Sequence, residues 1–392
     1  MPKRRSGERG AGSGRTAKRR RRHLYLVFDD WLWGYSIRKV DLSSDDSYSD
    51  EPPHQHDAAI SGDGAERRLP PAVFRVEAQP GDSNCFAAAF GTKIIAMTPT
   101  IVDGTPIPAT HPLAPRCVVP VFDVRTRLFA FAPRPKMNLF NPIYFSVGEG
   151  LFVLSSGSFQ LLRPPAALEE PGGDLCWEWR ELPKHPFERM NVTSYAVHPD
   201  GRTIFVSTST ATFTFDTAKV HRKWRRHGRW TLPFTCRAYF DGELDAWVGL
   251  HGDPDEIEGI CACDVASSDP GSMDGQRPAW KLGKEKLLSE DPDEEHVGAT
   301  LVYMGGRSKY CLVQCVSIDD DCADRTRNFY EFMDPESGET GSCRYLLRLT
   351  TFSLKFDKHG HLTAGNSRRV RYYRVPQAVT DSALEYPVAF CI

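Results

Sequence analysis

The sequence predicts an all-β fold, a β-propeller of degenerate blades behind a disordered basic N-terminal tail. Short segments rich in β-branched and aromatic residues alternate with turns over most of the 392 residues. From residue 84 onward a pattern recurs: an apolar hairpin, a strand with an Asp-containing turn, and an aromatic residue near a proline. No segment shows the 3.6-residue period of a long helix, so a repeated four-stranded blade explains the pattern better than a helical repeat.

The tail is the first element, and its charge sets it apart from the rest of the chain. Residues 1–23 contain ten basic residues against the single acid Glu8, whereas the whole chain has a net charge of -2. With almost no apolar side chain to bury, residues 1–22 are predicted to be disordered. The basic residues that matter most fall into two clusters: Lys3, Arg4 and Arg5, then Lys18, Arg19, Arg20, Arg21 and Arg22.

Two basic clusters separated by twelve residues are typical of a bipartite nuclear-import signal, which an import carrier would bind. The same charges would also attract nucleic-acid phosphate without sequence preference. A solvated or organelle-targeting tail remains a third interpretation. Since no apolar run reaches a membrane-spanning length, we expect no membrane association and a location in the nucleus or cytoplasm, with organelle targeting left open.

The body is predicted to be one propeller domain, residues 23–392. It starts with a hairpin, because residues 23–28 and 35–42 are rich in β-formers and are separated by a break at residues 29–34. Residues 43–70 are dense in Ser, Asp, Pro and Gly, which indicates a disordered acidic insertion.

Five repeats follow, and their equivalent positions lie 57, 51, 44 and 62 residues apart: Phe86, Ile143, Ser194, Ala238 and Thr300. Propeller blades repeat about every 40–50 residues, so some loops must carry insertions. The N-terminal hairpin, residues 72–78 and the C-terminal residues 386–392 remain, and together they would complete a sixth blade. Another blade number, or a pair of β-sandwiches, stays possible.

Residues 22–31 (RHLYLVFDDW) and 34–41 (GYSIRKVD) resemble the opening of an uncharacterised plant family expanded in grasses and known as a domain of unknown function. Residues 121–133 (VFDVRTRLFAFAP) resemble a recurring segment of that family and of kelch-like and F-box-associated propellers. The resemblance implies a plant protein with a kelch-like propeller body and assigns no catalytic residue. Only Gly305-Gly306 lies where a kelch blade has its glycine pair.

A second basic run lies in the third repeat, between Thr217 and Trp230: Arg222, Lys223, Trp224, Arg225 and Arg226. Arginines beside an aromatic residue can stack on bases and contact phosphates, so this run is a weak candidate for nucleic-acid binding. The alternative is an exposed loop between outer blade strands, with Trp224 or Trp230 packed between blades.

No catalytic, cofactor-binding or metal-binding motif is evident. The Cys261–Cys263 pair lacks the two-residue gap of common zinc pairs, and the sequence has no phosphate loop or nucleophile elbow. The eleven cysteines lie mostly in apolar runs, which favours free thiols packed as small hydrophobes.

The composition and the tail together predict a protein-interaction scaffold, a monomer that binds an unknown protein partner through loops at one end of the propeller channel. One alternative is a propeller enzyme acting on a small or carbohydrate substrate, with titratable residues converging at the channel mouth. The other is a nucleic-acid-associated protein that uses the tail.

Overall fold

The computed structural model describes residues 22–42, 66–78, 83–98, 101–102, 105–106, 118–135, 139–166, 176–219, 223–253, 256–268, 277–318 and 344–392. The predicted basic tail lies outside these residues except for Arg22, and so do residues 43–65 of the predicted acidic insertion. Nearly all regular structure in the described part is strand, which confirms the all-β prediction.

The first ten strands are β1 (Leu24–Trp31), β2 (Gly34–Val40), β3 (Arg67–Arg68), β4 (Ala72–Glu77), β5 (Phe86–Ala89), β6 (Lys93–Ala96), β7 (Ile101–Val102), β8 (Thr105–Pro106), β9 (Val118–Asp123) and β10 (Leu128–Pro133). The next twelve are β11 (Ile143–Val147), β12 (Gly150–Ser155), β13 (Ser158–Arg163), β14 (Glu178–Glu181), β15 (Val192–Val197), β16 (Thr203–Thr208), β17 (Thr212–Asp216), β18 (Trp224–Gly228), β19 (Thr235–Asp241), β20 (Ala246–Gly252), β21 (Ile257–Asp264) and β22 (Trp280–Leu282). The last seven are β23 (Glu295–Gly305), β24 (Lys309–Ser317), β25 (Tyr345–Ser353), β26 (Lys355–Phe356), β27 (Leu362–Thr363), β28 (Arg369–Arg374) and β29 (Val388–Cys391). One short α-helix, α1 (Asp381–Glu385), and three 3₁₀ turns complete the described structure: Ser83–Cys85, Arg189–Asn191 and Gly365–Ser367.

The two ends of the chain share one sheet, with strand order β29-β1-β2-β4. The C-terminal strand pairs antiparallel with β1, in a register that places Leu26 opposite Ala389. This confirms the predicted pairing of the C-terminal segment with the N-terminal hairpin. Strand β3 pairs in parallel with β28, so the described structure resumes inside the span predicted as an insertion, at Glu66.

The predicted repeats each form a sheet. Their strand orders are β10-β9-β6-β5, β11-β12-β13-β14, β18-β17-β16-β15, β19-β20-β21-β22 and β23-β24-β25-β28-β3. A parallel pairing of β15 with β19 joins two of these sheets edge to edge through their first strands. We call β5, β11, β15, β19, β23 and β29 the inner strands, because contacts between neighbouring sheets join β5 to β11, β15 to β19, β19 to β23 and β23 to β29.

The hydrophobic core consists of six clusters, and each cluster lies between two sheets that are neighbours in this order. One member from each of the two sheets identifies each cluster: Tyr35 and Phe86, Ile95 and Val153, Phe159 and Phe215, Phe205 and Trp247, Val248 and Leu312, and Leu349 and Leu26. The last cluster returns to the sheet of the first. This cyclic packing is compatible with a β-propeller, for which six stays the predicted number of blades.

Packing on both faces explains the apolar runs in the sequence. Every residue of β12 and of β16 is buried, since each of these strands lies inside a sheet that is covered on both sides by neighbouring sheets. The outer strand β10 keeps three large apolar side chains exposed: Leu128, Phe129 and Phe131.

The recurring aspartates form the turns that the sequence predicts. Asp123 accepts hydrogen bonds from the backbone N–H groups of Arg125 and Thr126, at 2.9 and 3.1 Å. Asp200 and Asp241 cap their own turns in the same way, each with two backbone donors. A carboxylate two or three residues before the donors closes an Asx turn, which ends one strand and starts the next.

Replacement of Asp123 by Asn is expected to lower the free energy of unfolding by about 2 kcal/mol at pH 6. Burial would raise the pKa of Asp123, but hydrogen bonds from the Thr126 and Arg125 N–H groups and from Lys93 and Thr92 outweigh it and lower the pKa from 3.8 to about 2. The ionised form is therefore the stabilising one. Its contribution is complete above pH 3.8 and is lost as the pH falls towards 2.

Urea denaturation of the wild-type protein and of D123N from pH 6 to pH 2 measures this contribution. The difference in free energy of unfolding between the wild-type protein and D123N should become smaller as the pH falls below about 4. The matched control is D245N, because Asp245 is an exposed turn residue. A difference that stays constant down to pH 2 would contradict the assignment.

Candidate functional site: the channel cluster

The second basic run lies on the outer edge of one sheet. Arg222 is outside the described residues, whereas Trp224, Arg225 and Arg226 belong to β18, which pairs with β17. The alternative interpretation as a loop is therefore wrong from Trp224 onward. The reason is that the Trp224 ring is buried against Phe159 of the neighbouring sheet, at 5.1 Å between ring centroids, which anchors the backbone as an edge strand.

The basic side chains of this run border a small depression, whose lining residues are Thr203, Thr214, Asp216, Lys219, Lys223, Arg225 and Ser268. Lys219 is already paired with Asp216, at 3.4 Å. Arg225 and Arg226 are exposed, as a phosphate contact would require. Nucleic-acid binding by this run stays a prediction.

A different group of polar residues lies on the inner strands. In the parallel pairing of β15 with β19, Ser194 is opposite Cys236 and Tyr195 is opposite Arg237. Two positions further along β19 is Tyr239, and the Arg237 guanidinium lies 5.2 Å from the centroid of its ring. Arg189 stands just before β15. We call Arg189, Tyr195, Cys236, Arg237 and Tyr239 the channel cluster.

Arg189 is held in place by the turn that precedes β11. Its Nε donates to the Asn141 carbonyl oxygen at 2.7 Å, and its Nη2 donates to Asn141 Oδ1 at 3.3 Å. Burial lowers the pKa of Arg189, while the nearby Tyr195 and Cys236 act in the opposite direction. Among the described residues, Arg189 forms no ion pair with a carboxylate.

The two tyrosines are partly exposed, yet the surrounding strands desolvate their hydroxyl groups. Burial raises the pKa of Tyr195 and of Tyr239, and in both cases Arg237 partly opposes that shift. The Tyr195 ring also packs edge-on against Phe145, at 5.4 Å, and Tyr239 lies 6.3 Å from Tyr303. Both hydroxyl groups therefore stay protonated at neutral pH and can donate hydrogen bonds.

Cys236 completes the cluster, in a left-handed backbone conformation with φ of 63°. Cys236 is exposed to solvent, yet desolvation by the surrounding strands raises the pKa of its thiol, and Arg189 partly offsets that effect. A thiol with a raised pKa is a poor nucleophile at neutral pH, because the thiolate is the reactive form. The cluster therefore offers two guanidinium groups, two hydroxyl groups and a thiol for hydrogen bonding and charge pairing.

The sequence did not single out this cluster. Its members come from the turn before β15 and from two strands about 40 residues apart, and none belongs to a recognisable motif. One sequence feature could have indicated part of the cluster: the alternation in β19, where the polar residues Arg237 and Tyr239 flank the buried Ala238. Alternation of this kind identifies the two faces of a strand but not which face lines a channel.

Metal-binding clusters and membrane-spanning helices are absent from the same described residues. These residues contain no group of three or more His, Cys, Asp or Glu side chains that could hold a metal ion. The eight described cysteines are free thiols. No helix in the described part of the chain is long and apolar enough to span a membrane.

Comparison with family models gives one match, to DUF1668, "Protein of unknown function", over residues 21–373. The chain belongs to the DUF1668 family. This membership covers most of the chain and agrees with the resemblance to an uncharacterised family. No curated protein matches this DUF1668 chain.

Solved structures similar to the DUF1668 chain share little sequence with it. A protein from Lactobacillus plantarum is 10% identical, with a TM-score of 0.38, and the match covers 90% of this chain and 99% of that one. A putative 6-phosphogluconolactonase from Bacteroides uniformis is 8% identical, with a TM-score of 0.36 and coverage of 95% and 99%. Apo AztD from Citrobacter koseri is 10% identical, with a TM-score of 0.30 and coverage of 90% and 97%.

Proposed function

We propose that the chain is a protein-interaction scaffold, a plant kelch-like propeller whose binding surface lies at the channel end where β11 and β15 begin. The observation that carries this proposal is a pair of exposed apolar side chains beside Arg189. Phe140 is 67% exposed and Met190 is 66% exposed. Asn141 connects them, since it follows Phe140 in the chain and its Nδ2 lies 3.4 Å from Met190 Sδ.

Large apolar side chains next to a held arginine are typical of the central residues of protein interfaces. Here the apolar groups stand on turns that the β-sheets hold rigidly, so a partner would meet a preformed surface with little ordering cost. Catalysis is supported less well. Among the described members of the channel cluster there is no histidine or carboxylate that could act as a general base.

The tail has a separate role in this proposal. Residues 1–22 would direct the scaffold to the nucleus through an import carrier, while the propeller body would bind the partner. The exposed Arg225 and Arg226 favour nucleic-acid association as a second candidate, because they could extend a phosphate contact that the tail starts.

Affinity capture from reducing plant lysate tests the scaffold proposal. The baits are the full chain, residues 23–392, and a full chain with Phe140→Ser and Met190→Ser. The matched control carries Leu128→Ser and Phe131→Ser, which remove equally exposed apolar groups from the outer strand β10. We expect one protein to be captured by the full chain, by residues 23–392 and by the control, and at least tenfold less by the F140S/M190S chain.

Equal capture by the F140S/M190S chain, or no specific capture by any bait, would contradict the scaffold proposal. Fluorescent versions of the full chain and of residues 23–392 test the tail in the same cells. Nuclear accumulation that requires residues 1–22 supports the import role. Salt-sensitive RNA capture that requires the same residues would favour the nucleic-acid alternative.

A further inference from the structure

Two arginines of the channel cluster, Arg189 and Arg237, lie close to Tyr195. Neither arginine forms an ion pair with a carboxylate among the described residues. Tyr195 interacts electrostatically with both Arg189 and Arg237. Some described arginines have acidic partners, as Arg38 has in Asp30 and as Arg344 and Arg374 have in Glu66, whereas the buried Arg348 donates to neutral oxygens. The channel cluster thus combines two positive charges that the described part of the fold leaves uncompensated.

Two unpaired guanidinium groups that are partly removed from water lower the stability of the fold, unless a bound ligand pairs with them. A partly desolvated guanidinium loses hydration, and a nearby anion is the group that best repays this loss. Arg189 cannot swing freely towards solvent, because two hydrogen bonds to Asn141 fix its Nε and Nη2. Arg237 is similarly oriented, since it lies over the Tyr239 ring at 5.2 Å.

Tyr195 and Tyr239 add neutral hydroxyl groups, which can donate hydrogen bonds, and bring no negative charge to the cluster. Tyr195 and Tyr239 belong to adjacent inner strands, and Tyr195 stands opposite Arg237 in the strand register. Arginine with neutral hydroxyl donors is the donor set that recognises a carboxylate or a phosphate. A neutral sugar or an amine would leave these positive charges unpaired.

We propose that the channel cluster is a binding site for a small oxyanion ligand, in which Arg189 and Arg237 pair with a carboxylate or phosphate group and Tyr195 and Tyr239 donate hydrogen bonds to it. This site goes beyond the scaffold function and does not depend on a protein partner. Its ligand would contact the guanidinium and hydroxyl groups of the cluster, whereas a protein partner would contact the exposed side chains of Phe140 and Met190 on the adjacent turns.

Calorimetric titration of the purified full chain tests the proposal, with pyrophosphate and citrate as probes and sodium chloride at equal ionic strength as the reference. We expect one of the two probes to bind, with at least a tenfold weaker Kd in R189Q and in R237Q. The matched controls are R225Q and R226Q, which remove exposed charges from the outer strand β18 and should leave Kd unchanged. Binding of pyrophosphate alone identifies phosphate chemistry, and binding of citrate alone identifies carboxylate chemistry.

A second readout does not require that the variants fold. Iodoacetamide labelling of the wild-type protein at pH 9, followed by peptide mass spectrometry, should show that the binding probe slows alkylation of Cys236 at least fivefold. Labelling of the exposed Cys176 should not change. The proposal is overturned if neither probe binds, if binding survives in both R189Q and R237Q, or if the bound probe leaves Cys236 labelling unchanged. Each result stands whether or not lysate capture finds a protein partner.

Discussion

Removal of residues 387–392 is expected to abolish the cooperatively folded state. These residues contain β29, which pairs with β1 over four residue positions. The pairing is extended by reciprocal backbone hydrogen bonds between His23 and Ile392, at 2.8 and 3.1 Å. The truncated chain would leave one edge of β1 unpaired in the middle of the ring of sheets.

The expected loss of stability can be estimated from the hydrogen bonds and apolar contacts that β29 makes. Six backbone hydrogen bonds at a net ~1 kcal/mol each would already approach the ~5–15 kcal/mol that stabilises a typical domain. Val388 and Phe390 also pack against the cluster between the first two sheets, and Ala389 and Cys391 pack against the cluster that closes the ring. Both clusters would open towards solvent on truncation.

Guanidinium denaturation followed by circular dichroism and tryptophan fluorescence measures the outcome. The expected result is a broad or absent transition together with early elution from a size-exclusion column. The matched control is Tyr386→Ala, because this side chain is 57% exposed and directly precedes the deleted segment. An unchanged unfolding midpoint in the truncated chain would show that the ring closes without β29.

Replacement of Trp247 by Ala is expected to lower the free energy of unfolding by about 4 kcal/mol, the usual range for a fully buried aromatic residue. Trp247 is the largest side chain with no solvent exposure in the described residues. It lies between two sheets, 5.1 Å from the Phe205 ring, and its Nε1 donates to the Val197 carbonyl oxygen at 3.1 Å. Alanine would leave a cavity that the rigid strands on either side cannot collapse to fill.

Two matched variants separate packing from hydrogen bonding. Trp247→Phe keeps most of the ring volume and loses the bond to Val197, so it should cost about 1–2 kcal/mol. Trp33→Ala removes a tryptophan that is 60% exposed and should change stability by less than about 0.5 kcal/mol. Urea unfolding at pH 7 gives all three values. Equal costs for W247A and W33A would contradict the role of Trp247 between the sheets.

Much of the fold was predictable because strand formation and turn formation are local. The spacing of Phe86, Ile143, Ser194 and Ala238 marked the inner strands of four sheets, and all four residues lie in those strands. Asp123, Asp200 and Asp241 marked the turns, because an Asx turn needs only a carboxylate and the next few backbone N–H groups. The pairing of the two termini was also predictable, since both ends carried strands that no repeat had used.

The channel cluster was not predictable, because its chemistry depends on groups that only tertiary packing brings together. In the sequence Arg189 looks like an ordinary surface residue. Its role depends on hydrogen bonds from its guanidinium to Asn141, 48 positions earlier, which form only in the folded protein. Exposed Phe140 and Met190 look like core residues in the sequence. Which apolar residues stay outside depends on where the sheets meet, and hydrophobicity alone does not fix that.

Four features could be predicted from sequence alone: the all-β class, the repeated groups of short strands, the aspartate turns and the charge contrast between residues 1–22 and the body. These follow from side-chain alternation, turn chemistry and composition, which act over a few residues. Only the tertiary structure decided the partners of Asp241, whose carboxylate accepts bonds from Ser308 and Tyr310, 67 and 69 positions away. It also brought Arg189 to Asn141 and placed Arg237 opposite Tyr195, because these contacts exist only once sheets distant in sequence have packed together.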